Sequence, residues 1–219
     1  MKKRHEKILA ICAHNDDQIL GAGGTLAKYV KAGASFKTII FSFGELSHPH
    51  LKRDVIVRRR VKESIDSDKI LGGSGVAYFG LKEQKFEEEF KAKRIREKVL
   101  LLIRKECPTK IFTHSVDDPH PDHQAVYKLM MSLLHELPRK TELYSFDVWT
   151  VLNVRKRNVP KLVVDITQTY PVKWKAFAEH RSQTNLPGLI VLDWKIHLLA
   201  RLNGFNYGMK YAEVFNRLN

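Results

Sequence analysis

A short apolar run that ends in a histidine and two aspartates constrains the fold of this chain more than any other feature. Residues 8–13 are all apolar, which is the length and type of a buried strand. His14, Asn15, Asp16 and Asp17 follow at once, and a glycine-rich stretch comes next. A strand that ends in this way places ionisable side chains at the carboxyl edge of a sheet. Open α/β sheets bind their ligands at that edge.

A second cluster of ionisable residues follows another short strand candidate. Residues 110–113 are the strand, and residues 114–123 read His-Ser-Val-Asp-Asp-Pro-His-Pro-Asp-His. Because both clusters follow strands, they can lie at the same edge of one sheet. One imidazole and one carboxylate from the first loop, with one imidazole from the second, would form a zinc site. Catalytic zinc sites keep three protein ligands of this kind and leave a position open for water.

The alternation of predicted strands and helices indicates an α/β fold. The predicted strands cover residues 7–13, 36–43, 76–79, 110–113, 142–148 and 162–166, and the predicted helices cover 25–32, 52–71, 87–105, 121–137, 172–182 and 189–202. The segment after Tyr207 is ambiguous. The pattern predicts a mainly parallel sheet with helices on both faces. A length of 219 residues fits a single domain over residues 1–219.

The composition of the chain indicates which kinds of partner and which cellular location to expect. Lysine and arginine number 38 against 24 aspartates and glutamates, and the formal net charge is +14. This excess favours negatively charged partners, such as phosphate-bearing substrates or an anionic membrane surface. No apolar run approaches the ~20 residues of a membrane span, so no transmembrane segment is predicted, whereas peripheral membrane contact stays open. The apolar run behind the basic N-terminus is too short for a signal peptide, so a cytoplasmic location is expected.

Two cysteines are too few and too far apart for a disulfide framework or a cysteine-rich zinc motif. Cys12 and Cys107 each lie within or beside an apolar segment. Both are expected to be buried free thiols.

Two motifs resemble the signatures of the PIG-L (LmbE-like) family of zinc-dependent N-acetylglucosaminyl deacetylases. Residues 13–18, Ala-His-Asn-Asp-Asp-Gln, are similar to the family's Ala-His-Pro-Asp-Asp-Glu, and residues 120–123, His-Pro-Asp-His, match its second signature. Residues 60–63 resemble its Arg-x-x-Glu helix, and Lys175 with residues 180–183 resembles its Lys…His-x-Ser-Gln segment. The resemblance covers roughly residues 8–185. It implies a Rossmann-like three-layer sandwich.

The resemblance also implies roles for the residues of both signatures. By the family's motif, His14, Asp17 and His123 are the ligands of a zinc ion, with another divalent metal as an alternative. Asp16 is the general base. This division is consistent with amide hydrolysis, because a bound zinc ion lowers the pKa of water toward ~7 and a nearby carboxylate takes the proton.

Three more residues are candidates for the site. His120 is expected to donate a hydrogen bond to the developing oxyanion or a proton to the leaving amine. Asp122 is expected either to hold a histidine in the right tautomer or to support the start of the local helix. Arg60 is expected to bind sugar hydroxyls or a phosphate of the substrate.

The favoured function is removal of the acetyl group from an N-acetylglucosaminyl or related N-acetyl amino-sugar conjugate, with release of acetate. A phosphate, nucleotide, lipid or inositol aglycone is expected. Asn15, Gln18 and the segment 81–83 depart from the family pattern. These departures keep open a degenerate member that binds metal or sugar without turnover. A basic nucleotide-binding or nucleic-acid-binding protein is a further alternative. The net charge is the only feature that supports nucleic-acid binding, and no sequence motif does, so no nucleic acid is expected.

Overall fold

Seven strands form one sheet in the computed structural model, which describes residues 5–48, 50–150, 159–184 and 187–219. The strands are β1 (Lys7–Cys12), β2 (Ser35–Ser42), β3 (Val76–Leu81), β4 (Lys110–His114), β5 (Glu142–Phe146), β6 (Lys161–Asp165) and β7 (Ala212–Arg217). Their order across the sheet is β3-β2-β1-β4-β5-β7-β6. Strands β1 to β5 are parallel, whereas β7 runs antiparallel to both of its neighbours.

Helices connect the strands and cover both faces of the sheet. They are α1 (Asp17–Lys31), α2 (Arg53–Leu71), α3 (Phe86–Ala92), α4 (Ile95–Glu106), α5 (Pro121–Ser132), α6 (Tyr170–Ala178), α7 (Arg181–Thr184) and α8 (Pro187–Asn206), with a 3-10 turn at Leu134–Glu136. None of the helices in the described ranges is long and apolar enough to cross a membrane.

Alternate residues of each central strand pack against different helical layers. In β1, Ile8, Ala10 and Cys12 belong to a buried cluster that includes residues of α1, α6 and α8. Leu9 and Ile11 belong to a second cluster that includes residues of α3, α4 and α5. Because successive strand side chains point to opposite faces, a strand covered on both faces is apolar throughout. The predicted three-layer α/β architecture with a mainly parallel sheet is confirmed.

Helix α1 begins at Asp17 rather than at the predicted residue 25. The prediction was wrong because the glycines between these positions were read as a turn. They lie inside the helix and allow neighbouring elements to approach it closely. A Cβ atom on Gly21 would lie 2.2 Å from the ring of Phe146, and one on Gly24 would lie 2.8 Å from Ile166.

Other expectations also differ from the structure. The helix predicted over residues 121–137 ends at Ser132 and is followed by the 3-10 turn, and the helix predicted over 172–182 is divided into α6 and α7. The single helix predicted over residues 87–105 is divided into α3 and α4, and Arg94 between them has a left-handed φ of 49°. Cys107 is exposed rather than buried, because it lies at the end of α4 in the left-handed conformation, directly before Pro108. Cys12 is buried and free, as expected. The ambiguous segment after Tyr207 contains β7, which lies between β5 and β6.

Candidate active site

The two ionisable clusters meet because β1 and β4 are parallel neighbours. Ala10 is paired with Phe112, so the residues that follow the two strands lie side by side at the carboxyl edge. The backbone N–H of Ala13 donates to Nε2 of His114 at 3.0 Å and joins the two strand ends. Helix α5 begins shortly after β4, and its first turn brings His123 to the same place.

Three side chains converge at distances that suit a tetrahedral cation. Nδ1 of His14 lies 3.1 Å from Nε2 of His123 and 3.6 Å from Oδ2 of Asp17. Nε2 of His123 lies 3.3 Å from Oδ1 of Asp17. Ligands that are about 2.0–2.1 Å from a tetrahedral zinc ion are separated by roughly 3.4 Å. Two imidazoles and one carboxylate are also the type of ligand that zinc prefers, so the residues fit such an ion.

The wider histidine and aspartate cluster contains two overlapping groups of donor atoms that lie within 4.8 Å of one another. These groups are His14 with His120 and His123, and Asp17 with His114 and His123. All of these side chains are buried except His120, which is partly exposed. The cluster is therefore able to hold a metal ion, and His123 is common to both groups.

The buried charged groups of this cluster lie around His123. Burial disfavours the imidazolium form, but Asp17 and Asp118 outweigh it and raise the pKa of His123 to about 10. Burial likewise disfavours the Asp17 carboxylate, but His123 and His114 hold its pKa well below the usual range. The carboxylates therefore require nearby positive charge, which a protonated His123 or a bound cation can supply.

Asp118 supports His123 and was not among the predicted site residues. Its Oδ1 atom lies 3.0 Å from Nδ1 of His123, an ion-pair distance without the alignment of a hydrogen bond. Its Oδ2 atom accepts hydrogen bonds from the backbone N–H groups of Val148 and Trp149 at 2.9 Å and 3.0 Å. A carboxylate behind a ligating histidine fixes the orientation of the ring. The sequence feature that could have identified Asp118 is the adjacent pair Asp117 and Asp118, which lies directly before the second signature.

The carboxylate of Asp122 contacts the ring of His14, whereas only its backbone N–H contacts His120. Its Oδ2 atom lies 3.2 Å from Nε2 of His14, which leaves Nδ1 of His14 facing the cation position. Glu83, a second residue that sequence reasoning missed, lies 3.5 Å from the same Nε2 atom. Burial raises the pKa of Glu83. Both carboxylates can therefore orient the His14 ring.

His120 begins helix α5 and lines the cavity beside the cluster. Its Nδ1 atom accepts the backbone N–H of Asp122 at 3.2 Å, so the ring caps the helix. Burial, reinforced by His14 and His123, lowers the pKa of His120 to about 4. At neutral pH the ring is therefore uncharged, and its remaining proton is on Nε2.

Asp16 is adjacent to Asp17 but has a different partner. Its Oδ1 atom accepts a hydrogen bond from Nη2 of Arg60 at 3.0 Å, and both side chains are buried. Gly44, with a left-handed φ of 76°, makes room for this contact, since a Cβ atom there would lie 2.6 Å from Nη1 of Arg60. Asp16 thus stands next to the predicted ligands without being required as one of them.

A cavity of about 310 Å³ opens onto the cluster. It is lined by His14, Asp16, Asp17, Leu20, Leu46, Ser47, Arg60, Glu83, Gln84, His120, Asp122, Val148, Trp149 and Gln183. Every predicted site residue except His123 lines it, and His123 lies fully buried within the cluster. Trp149 is 41% exposed, and its indole supplies an aromatic surface at this cavity.

The two weaker motifs pack against each other behind the cavity. Glu63 of the Arg-x-x-Glu helix accepts hydrogen bonds from the backbone N–H and the hydroxyl of Ser182 at 2.8 Å and 2.6 Å. Gln183 donates to the hydroxyl of Ser47 at 3.2 Å. Lys173 is the buried lysine of this region. Lys175, which belongs to the family-like segment described above, is exposed. Lys175 therefore does not take part in the buried contacts of this region, whereas Lys173 does.

Comparison with known proteins identifies deacetylases among the proteins that this chain resembles. The family described as "PIG-L: GlcNAc-PI de-N-acetylase" matches residues 9–134. A diacetylchitobiose deacetylase of Thermococcus kodakarensis is 26% identical over 95% of this chain and 81% of its own length. A probable N-acetyl-alpha-D-glucosaminyl L-malate deacetylase 2 of Bacillus cereus is 25% identical over 83% of this chain and 84% of its own.

Among solved structures, an N,N'-diacetylchitobiose deacetylase from Pyrococcus horikoshii in complex with an inhibitor shares the fold. It superimposes with a TM-score of 0.81 at 23% identity, over 99% of this chain and 85% of the other. Since the family match spans more than half of the chain and contains both signature motifs, this chain belongs to the PIG-L family.

Proposed function

We propose that this protein is a metal-dependent N-deacetylase that acts on an N-acetylglucosaminyl or related N-acetyl amino-sugar conjugate and releases acetate. The observation that carries the proposal is the convergence of His14, Asp17 and His123 beside Asp16, a carboxylate that is not needed as a ligand. The activities named for the Thermococcus kodakarensis and Bacillus cereus relatives support the same reaction class.

The proposed metal is zinc, with another divalent ion as an alternative. His14, Asp17 and His123 would hold it, and Asp122 and Asp118 would orient the two imidazoles. When bound, zinc supplies Lewis acidity, which polarises a carbonyl group and acidifies water.

The side chains around the ligands provide the remaining functions of an amide hydrolase. Asp16 accepts the proton of the attacking water and passes it to the nitrogen of the amide as the carbon–nitrogen bond breaks. Arg60 holds the Asp16 carboxylate in place and, because it also lines the cavity, it is positioned to bind a sugar hydroxyl. The neutral His120 donates from Nε2 to the oxygen that becomes negative during the attack. This chemistry yields acetate and a free amine.

Acetate release tests the proposal. The purified protein should release acetate from N-acetylglucosamine conjugates, lose this activity with a chelator and regain it when Zn²⁺ is returned. Asp16→Asn should retain the metal but lose activity by about 10²–10⁴-fold, because only the base is removed. Asp66→Asn, which alters a partly exposed carboxylate of α2 that does not line the cavity, should behave as the wild type.

Two outcomes would contradict the proposal. Acetate release that survives chelation would exclude the metal-dependent route. Binding of metal and sugar without any acetate would favour the degenerate family member instead. A cytoplasmic location, the absence of nucleic-acid binding and a single domain over residues 1–219 stay predictions from the sequence.

A further inference from the structure

The outward face of helix α8 carries a stripe of large apolar side chains. Its members and their exposed fractions are Trp194 (75%), Leu198 (56%), Leu202 (42%) and Phe205 (83%). They follow one another at intervals of four, four and three residues, so they share one side of the helix. Ile196 and Ala200 on the opposite side are buried in the core. Single exposed apolar residues are normal, but a contiguous group of this kind marks an interaction surface.

Helix α8 is fixed to the body of the protein through its inner side. The hydroxyl of Tyr170 in α6 lies 2.8 Å from Nδ1 of His197. Nζ of Lys195 donates to the carbonyl oxygen of Val148 at 2.6 Å. Val148 lines the cavity at the metal cluster, which is called the catalytic cavity from here on. The α8 stripe therefore takes no part in the packing of its own helix and is presented outward in a fixed orientation.

The charge around the α8 stripe is positive. Residues 194–212 contain no aspartate or glutamate. Arg201 is exposed and lies three residues after Leu198 and four before Phe205, so it shares their side of the helix. Lys210, which follows the end of the helix, is also exposed. Since the chain as a whole carries a net charge of +14, a partner with a negative surface is electrostatically complementary to this face.

A second copy of the chain suits this surface less well than a lipid membrane does. From Trp194 to Phe205 the α8 stripe is about 16 Å long, because an α-helix rises 1.5 Å per residue. On a helix about 10 Å wide, its footprint is on the order of 160 Å². Each partner in a stable protein interface contributes about 800 Å². A two-fold pairing of two stripes would also place the two Arg201 guanidinium groups near each other, and like charges repel.

We propose that the α8 stripe docks this protein on the surface of an anionic lipid membrane. The inference is independent of the proposed deacetylase function. Trp194, Phe205 and the two leucines enter the boundary between head groups and acyl chains, as the apolar face of an interfacial helix does. Arg201 and Lys210 pair with the phosphate groups of the lipids.

Sedimentation of the purified protein with lipid vesicles tests this inference. Vesicles of phosphatidylcholine alone are compared with vesicles of an equal mixture of phosphatidylcholine and phosphatidylglycerol. The wild type should bind the mixed vesicles at least about tenfold more tightly, and added salt should weaken that binding. Phe205→Ser should weaken binding about tenfold, because a large apolar side chain no longer leaves water. Arg201→Gln should weaken it about fivefold.

Leu101→Ser is the matched control for the apolar substitution. Leu101 is 65% exposed on α4, which packs against the other face of the sheet. This variant removes an exposed apolar side chain of similar accessibility without altering the α8 stripe, so it should bind the vesicles as the wild type does. All of the substituted side chains are exposed, so the variants should fold normally, and circular dichroism checks that they do.

Quenching of tryptophan fluorescence by brominated acyl chains locates the contact on the protein. The chain has three tryptophans, Trp149, Trp174 and Trp194. Emission should be quenched when the wild type binds brominated mixed vesicles. Trp194→Phe should lose most of this quenching while it still binds, because phenylalanine is also apolar. Quenching that persists in Trp194→Phe would show that another face meets the lipid, and the inference would be wrong.

Three other results would also overturn the inference. Equal binding by the wild type and Phe205→Ser would show that the overall net charge, rather than the α8 stripe, holds the protein on the vesicles. Equal binding to neutral and anionic vesicles would contradict the role of Arg201 and Lys210. An oligomer that Phe205→Ser converts to monomers in sedimentation velocity would identify the stripe as a contact between copies. Because none of these measurements uses acetate release, they leave the proposed function untouched.

Discussion

Asp118 contacts His123 through one carboxylate oxygen and the loop after β5 through the other. The distance from Oδ1 of Asp118 to Nδ1 of His123 is 3.0 Å, and Oδ2 accepts the N–H groups of Val148 and Trp149. The side chain is fully buried. One carboxylate thus connects a proposed ligand with two residues that line the catalytic cavity.

Replacement of Asp118 by asparagine should weaken metal binding. The asparagine oxygen has to keep accepting the N–H groups of Val148 and Trp149, which leaves its NH2 group facing His123. Because an amide nitrogen donates hydrogen bonds and does not accept them, the ring would favour the tautomer with its proton on Nε2, the atom that faces the cation. We expect a loss of about 10–100-fold in Zn²⁺ affinity, measured by competition with a chromophoric chelator. Asp66→Asn is the control. Unchanged affinity in Asp118→Asn would show that this carboxylate does not orient the ligand.

The buried lysine of α6 should contribute far more to stability than its exposed neighbour. Nζ of Lys173 donates to Glu213 at 2.6 Å and to the carbonyl oxygen of Leu20 at 2.9 Å. Lys173→Met would leave the buried Glu213 without its cation and should lower the free energy of unfolding by about 3–5 kcal/mol. Lys175→Met should change it by at most about 0.5 kcal/mol. Urea denaturation measures the free energy of unfolding of both variants. Equal losses would show that the buried contact of Lys173 with Glu213 contributes no extra stability.

The main parts of the site were predictable because they depend on strand order and on short motifs. Apolar runs that end in ionisable residues predicted that His14 and His123 would meet at one edge of the sheet. The structure confirms the meeting, since β1 and β4 are adjacent and parallel. The strand positions were also predicted well because buried strands are apolar throughout.

Residues that reach the site from other loops could not be predicted in the same way. Glu83 and Trp149 each follow a strand but belong to no ionisable cluster, and only the path of their loops brings them to the cavity. Strand β7 was ambiguous because its place between β5 and β6 depends on long-range pairing. The start of α1 was misplaced because glycine has a low helix propensity, and the packing that requires glycine there is tertiary.

Substitution of Gly24 should test that packing. In an ordinary helix, glycine to alanine stabilises by about 1 kcal/mol. Here a Cβ atom on residue 24 would lie 2.8 Å from Cβ of the fully buried Ile166, so we expect Gly24→Ala to destabilise by about 1–3 kcal/mol. The control is Gly23→Ala, whose Cβ atom would lie 3.2 Å from the side chain of Lys173. Thermal and urea unfolding should show Gly24→Ala as the less stable variant. A stabilised Gly24→Ala would contradict the close approach.

Acid sensitivity should depend on His180, which lies fully buried and 3.1 Å from the hydroxyl of Ser67. Burial lowers the pKa of His180 to about 4, below the ordinary value of 6.5. Between these two pH values the unfolded chain binds a proton at this residue and the folded chain does not. The contribution of His180 to the free energy of unfolding therefore falls as the pH falls from 6.5 to 4, by about 3 kcal/mol at about 1.4 kcal/mol for each pKa unit.

His180→Gln should remove this contribution to the pH dependence while retaining a polar side chain near Ser67. Urea denaturation at several pH values from 7 to 4 measures the slope in the wild type and the variant. The variant is expected to be less stable at pH 7, but its stability should decline less steeply toward pH 4. Identical slopes would mean that other groups cause the loss of stability in acid and that His180 takes up a proton as readily in the folded chain as in the unfolded one.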